Sequence, residues 1–296
     1  MRNKPWKMKE GFAIGIGLIA VGVVLQLAVG PVAWGAFAWP INGVVMAAFV
    51  AVIALTYILR KRVYAFKFLG TNHAAIPAMA LAVVLTIVMG LTIQSPDGNW
   101  FSNMLSFWPF VLVYMLIALI LGQVIINRTM HFKWKRDIPF MLNHLGLFLA
   151  MTTATLGNAD VQRLRMIATE GQPEWRAVAD NGMVKTMPMS IELKKFIMET
   201  YDDGSPKRYA SVLKIAEKQG DAFEATIDVN KPIVVDGWKI YQYGYDTSMG
   251  AESKISILEL VSDPWLPLVY AGIFMMLGGA VCMFVFGRRE GEKVRK

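Results

Sequence analysis

From Gly11 to Leu59 the chain carries no charged residue. That stretch is long enough to cross a bilayer twice, since one helical crossing takes roughly 20 apolar residues over about 30 Å of hydrocarbon. Gly30-Pro31 and Trp39-Pro40 interrupt it, which predicts two helices, 11–30 and 41–59, joined by a short turn with Trp34 and Trp39 at the interface. Uncharged runs at 74–93, 107–126, 138–157 and 265–286 predict four more. Between the fifth and the sixth lies a polar, strand-patterned segment, 158–264. The expected fold is a membrane α-helical bundle of six transmembrane helices with one extracytoplasmic β-rich domain inserted before the last helix. Its parts are 1–157, 158–264 and 265–296, the last including a basic tail. A hydrophobic content of 55% and a mean hydropathy of +0.43 agree.

Lysine and arginine set the orientation, because short loops rich in them stay on the cytoplasmic side. Residues 1–10 hold four (Arg2, Lys4, Lys7, Lys9), 60–67 four (Arg60, Lys61, Arg62, Lys67), 128–136 four (Arg128, Lys133, Lys135, Arg136) and the tail five (Arg288, Arg289, Lys293, Arg295, Lys296). The intervening loops, 31–40 and 94–106, hold none. Both termini are therefore expected in the cytoplasm, in a bacterial inner (cytoplasmic) membrane, with 158–264 outside. That segment holds 13 basic and 17 acidic residues, a net charge of −4, so the overall +8 belongs to the membrane flanks. The basic balance is spread over four membrane edges rather than one face, which excludes a nucleic-acid partner and points to membrane lipid. Residues 1–30 read as a first helix rather than a signal peptide, because the apolar core is long and no small-residue cleavage site follows.

The polar segment predicts short strands. Ser190–Tyr201 alternates imperfectly, with Ile191, Leu193, Phe196 and Met198 on the apolar side, and Tyr201-Asp202-Asp203-Gly204-Ser205-Pro206 is a turn signal. Ala210–Ala216 and Phe223–Val229 flank Lys218-Gln219-Gly220-Asp221, and Gly237–Tyr245 and Lys254–Val261 alternate again. Five or so strands predict a small sandwich or barrel-like sheet.

The single cysteine, Cys282, falls in the last span, so no intramolecular disulfide and no thiol catalysis are expected in the polar segment. No CxxCH motif attaches c-type haem to this chain. All three histidines, His73, His131 and His144, lie outside 158–264, which removes Ser-His and Cys-His catalysis and histidine zinc sites from that segment. Asp202-Asp203-Gly204 lacks the spaced oxygen ligands of a calcium loop and reads as a turn. With no Asp, Glu, Lys or Arg in any expected span and no inverted repeat, a transporter is disfavoured.

His144 stands out. Six positions into the span 138–157, it falls about 9 Å below the cytoplasmic edge at 1.5 Å per residue. An imidazole at that depth is paired, hydrated or ligating metal, because polar groups in hydrocarbon are costly and usually functional. Two readings stay open: metal ligation, or a neutral ring bonded to a neighbouring helix through Asn143. His73 opens the third span at the same leaflet and is a weaker ligand candidate, while His131 belongs to a basic interfacial loop.

The run Asn230-Lys231-Pro232-Ile233, then Asp236-Gly237-Trp238-Lys239-Ile240-Tyr241-Gln242-Tyr243-Gly244-Tyr245-Asp246, then Asp263-Pro264-Trp265 leading to Tyr270-Ala271-Gly272-Ile273, resembles the ResB family, also called CcsB. So does His144-Leu145-Gly146-Leu147 in the helix before the polar segment. The similarity spans roughly 100–296. It implies a subunit of the System II cytochrome c biogenesis machinery, working with a CcsA-like (ResC) membrane protein to move haem outward and present it to apocytochrome c. It further implies that His144 is an axial ligand to haem iron (transient, non-covalent haem b), with the other ligand supplied by the partner, and that this chain is a non-catalytic subunit of a haem lyase. Proteins of this family usually carry three helices before a larger domain, so the first two spans here are additional. The partner's tryptophan-rich exported segment has no counterpart in this chain. Two other classes stay open: a haem-free structural anchor of a respiratory assembly, and a self-contained b-type haem protein using His73 and His144 together.

Overall fold

The structure is a computed structural model and describes residues 5–95, 98–217, 220 and 222–286, without the side chain of Lys135. Arg2, Lys4, the five basic residues of the tail, and Lys218, Gln219 and Asp221 of one expected turn lie outside the described residues. The chain divides into a helical unit, Met1–Ala159 with Trp265–Lys296, and a β unit, Asp160–Pro264.

The helical unit contains α1 (Met8–Val29), α2 (Ile41–Leu59), a short α3 (Tyr64–Leu69), α4 (Asn72–Leu91), α5 (Trp108–Thr129), α6 (Trp134–Gly157) and α7 (Leu266–Phe286). All but α3 are long and apolar enough to span a membrane. Several of their polar side chains are committed to neighbouring helices, as expected where no water competes. Gln26 of α1 accepts the backbone N–H of Trp108 at 3.2 Å. Gln123 of α5, almost fully buried, donates to Ile53 O at 3.0 Å and Thr56 Oγ1 at 2.5 Å on α2. Asn42 of α2 donates to Leu156 O of α6 at 3.3 Å.

α6 and α7 pack backbone against backbone. A Cβ placed on Gly146 would stand 2.6 Å from Gly272 O, and one on Gly272 would stand 2.6 Å from Gly146 O and 2.7 Å from Ala150 N. Asn143 packs against Gly279 in the same seam. Small residues at 146, 150, 272 and 279 thus bring two backbones into contact, the arrangement that substitutes for hydrophobic driving force in lipid.

Among the described residues the β unit is one antiparallel sheet of eight strands: β1 (Gln162–Thr169), β2 (Pro173–Ala179), β3 (Val184–Thr200), β4 (Pro206–Glu217), β5 (Ala222–Asp228), β6 (Ile233–Val235), β7 (Trp238–Tyr245) and β8 (Ile255–Ser262). Their order is β5-β4-β3-β2-β1-β8-β7-β6, so the first and last strands pair, Gln162 opposite Ser262. Alternate residues bury one face, including Leu164, Met166, Met189, Ile191, Leu193, Leu213, Ile215, Ile227, Ile240, Leu258 and Leu260. The sheet curls onto itself. Ser211 of β4 and Ser256 of β8 lie four places apart in the order, yet their hydroxyls are 2.6 Å apart and buried. Phe196 and Tyr209 likewise pack on Tyr245.

Compared with the five strands expected, β1, β2, β6 and the first third of β3 are additional. β2 begins at a proline and buries only Ala177, and β6 has three residues, so neither carries a full alternation. The imperfect alternation at Ser190–Tyr201 is a β-bulge: the register against β4 shifts between Leu193 and Lys195, so Lys194 and Lys195 both face out while Leu193 and Phe196 face in. Val235 pairs with Trp238 across Asp236-Gly237, both at positive φ (47° and 78°), the two-residue turn whose twist suits a hairpin. On the outer face Arg208 ion-pairs with Asp228 and Glu199 at 2.6 and 2.7 Å, and the guanidinium holds the Asp228 carboxyl below its ordinary value.

Gln242 ties the curl together. It bonds Ser256 Oγ at 2.8 Å and Gly244 O at 2.9 Å, the carbonyl at a second bulge in β7, and Ser256 in turn meets Ser211. All three side chains are buried and satisfied. Gln242→Leu is expected to cost about 1–3 kcal/mol by stranding buried polar groups. Amide exchange in β7 and β8 of the full-length protein should accelerate correspondingly, and unchanged protection would show the network to be dispensable.

Candidate functional site

α6 starts at Trp134, four residues before the expected span, because Asp137 is accommodated inside its first turn. The carboxylate is buried, with side-chain exposure of 0%. It accepts Lys133 N at 2.8 Å and Arg136 Nε and Nη2 at 2.9 and 3.3 Å, and lies 3.6 Å from Arg128 Nη1 at the end of α5. A negative charge at a helix N-terminus is favoured by the helix dipole, and two guanidinium groups complete its neutralisation. Residue order alone does not single out Asp137, because it stands one residue before the uncharged run.

Three and seven residues further along the same face come Phe140 and His144. Arg128 lies over the Phe140 ring, 4.5 Å from its centroid, and the His144 ring stacks on Phe140 at 3.7 Å with 19° between planes. His144 therefore sits about 15 Å along the helix from Trp134 at 1.5 Å per residue, half-buried. Its Nδ1 is 2.9 Å from Phe140 O. Because a carbonyl only accepts, the Nδ1 position carries a proton, which in the neutral tautomer leaves the lone pair on Nε2. Among the described residues Nε2 has no hydrogen-bond partner. The expected bond to a neighbouring helix through Asn143 is not formed: Asn143 donates to Pro139 O at 2.8 Å within α6.

His73 is the second residue of α4, exposed at the bundle surface. α4 packs mainly on α1, α3 and α5, whereas α6 packs on α2, α5 and α7, so the two imidazoles are not brought together. His131, in the turn after α5, bonds Asn127 O at 2.9 Å and is exposed.

Among the described residues no three His, Cys, Asp or Glu side chains cluster. What His144 offers is one fixed imidazole nitrogen, which suits a metal that arrives with most of its ligands already in place. Iron in a porphyrin is such a metal, and donation of the second ring nitrogen to a carbonyl is the usual way a ligating imidazole is oriented. A separate apolar cavity of about 460 Å³ lies along the last two turns of α6, lined by Trp34, Phe37, Phe49, Trp108, Tyr114 and Met151 among others; His144 is not in its wall.

Helices of spanning length and one inserted antiparallel sheet define a multi-pass membrane protein carrying a folded polar unit, with a single presented imidazole in the helix before the insertion. Residues 136–258 match the model of the ResB-like family, and over that stretch the chain is ResB-like. The match takes in Asp137, Phe140, His144 and most of the β unit; it is narrower than 100–296 and stops before Asp263-Pro264-Trp265. Cytochrome c biogenesis protein CcsB of Prochlorococcus marinus subsp. pastoris is 30% identical over 140 residues, 46% of this chain and 32% of that one. Protein NrfI of Wolinella succinogenes is 32% identical over 95 residues, 31% of this chain and 10% of that one. The chain thus spans about a third or less of the curated relatives it matches. A solved structure, Cytochrome c Heme Lyase CcmF, aligns over 82% of this chain and 45% of its own at 12% identity, with a TM-score of 0.34, too low to speak for a shared fold.

Proposed function

We propose that this chain is the haem-handling membrane subunit of a cytochrome c synthetase complex. The observation that carries the reading is His144: a spanning-helix imidazole whose Nδ1–H is committed to Phe140 O, leaving Nε2 for iron. It lies in the ResB-like stretch, and the Prochlorococcus marinus relative is named for cytochrome c biogenesis. Haem would supply a planar apolar ring with an iron centre open at its axial positions. His144 would hold and orient it through Nε2. Because the imidazole is only half-buried and no second histidine stands beside it, a second ligand and the facing wall would come from the partner, a CcsA-like membrane protein. The positive-inside pattern supports a β unit outside a bacterial cytoplasmic membrane, where its curled sheet serves as a scaffold for that partner or for apocytochrome c.

The test is spectroscopic. Purified from membranes with its partner, the chain is expected to carry non-covalent haem with a six-coordinate low-spin spectrum, extractable by acid acetone. A haem-free complex that still supports cytochrome c maturation would overturn the reading in favour of a structural role.

A further inference from the structure

Beside the start of α6 stands a cation of α5, Arg128, whose guanidinium has hydrogen-bonding capacity to spare. Asp137 receives its hydrogen bonds from Arg136 and Lys133 N. Arg128 reaches it only at 3.6 Å, and its guanidinium makes no hydrogen bond among the described residues. One carboxylate facing both Arg128 and Arg136 leaves surplus positive charge there. Arg128 is also held in place: its guanidinium lies on Phe140, the ring on which His144 stacks. An arginine serving only the headgroups would extend outward; this one folds back against the aromatic ring that carries the imidazole.

We propose that Arg128 is a specificity-determining residue that pairs with the propionate carboxylates of haem held at His144. This rests on the function proposed above. The guanidinium fork matches a carboxylate with two parallel N–H···O bonds, which an ammonium cannot reproduce. Haem carries its two carboxylates on one edge, so an imidazole and an arginine sharing one ring fix both the iron and the rotation of the macrocycle. Asp137 and Phe140 are positioning residues: the carboxylate draws the end of α5 to the start of α6, and the ring keeps guanidinium and imidazole apart.

The experiment titrates the purified complex with haem and with haem dimethyl ester, which lacks the negative charges, following the Soret band. Arg128→Gln is expected to weaken haem binding by about tenfold or more, the loss of a charged hydrogen-bonded pair, while ester affinity changes less than about twofold. Arg128→Lys keeps the charge without the fork and should fall between, which also serves if the glutamine variant does not fold. Equal weakening of haem and ester would overturn the proposal by making Arg128 a purely structural residue. No change in either would assign its charge to lipid phosphate and overturn it equally. His144→Ala reports separately: loss of the axial-ligand spectrum with both ligands supports the underlying site, and unchanged spectra with both remove that site and the propionate pairing with it.

Discussion

Haem bound to the complex is expected to fall by at least about tenfold when His144 is replaced by glycine, and c-type cytochrome yield with it. In the proposed site the ligand is the His144 imidazole, whose Nδ1 is bonded to Phe140 O. Asn143 is committed to Pro139 O, and Phe140, stacked on His144, offers only an apolar ring. Glycine leaves a gap of imidazole size against Phe140, so added imidazole should restore the low-spin spectrum, a rescue that misfolding would not allow. His131→Ala, in an exposed turn, should leave haem content unchanged, and so should His73→Ala. Loss of haem in His73→Ala equal to that in the His144 variant would instead support a two-histidine clamp. Unchanged haem in the glycine variant would remove His144 from the site altogether.

Gly272→Ala is expected to destabilise the helical unit by about 1–3 kcal/mol, the usual cost of forcing a methyl into a packed contact. The new Cβ would stand 2.6 Å from Gly146 O, 2.7 Å from Ala150 N and 2.9 Å from Ala150 Cβ. Two of those atoms are backbone and cannot rotate away, so α6 and α7 must separate. Gly278 lies on the same helix, and a methyl group added there would have nothing within 4 Å. Gly278→Ala should therefore be neutral or gain up to about 1 kcal/mol from helix propensity. Gly272→Leu should prevent accumulation of folded protein. Thermal unfolding of the solubilised protein compares the pair directly, and equal midpoints for the two alanine variants would show that the seam is not tight.

Much of this architecture was legible in residue order. Charge-free runs mark the spanning helices because burying a backbone in lipid leaves the helix as the only single-segment solution. Turn chemistry at Tyr201-Asp202-Asp203-Gly204-Ser205-Pro206 marked the hairpin between β3 and β4, and the broken alternation around Leu193 and Phe196 already held the trace of a bulge. Strands β2 and β6 stayed hidden because their positions are taken by pairing with neighbours, not by their own pattern. His144 could be singled out from depth alone, since an imidazole among apolar residues demands a partner.

What chain order could not supply is which partner each polar group takes. Apolar periodicity says that a face is buried; it does not say against what. Only the packing of α5 on α6 sets Arg128 over Phe140, and only the curl of the sheet brings Ser211 to Ser256 across the three strands between them. Asp137 shows the reason most plainly. In sequence it is one acidic residue at the edge of a basic loop, and in the fold it is a buried charge between two arginines, because distances between residues on different helices are decided by side-chain packing and not by spacing along the chain.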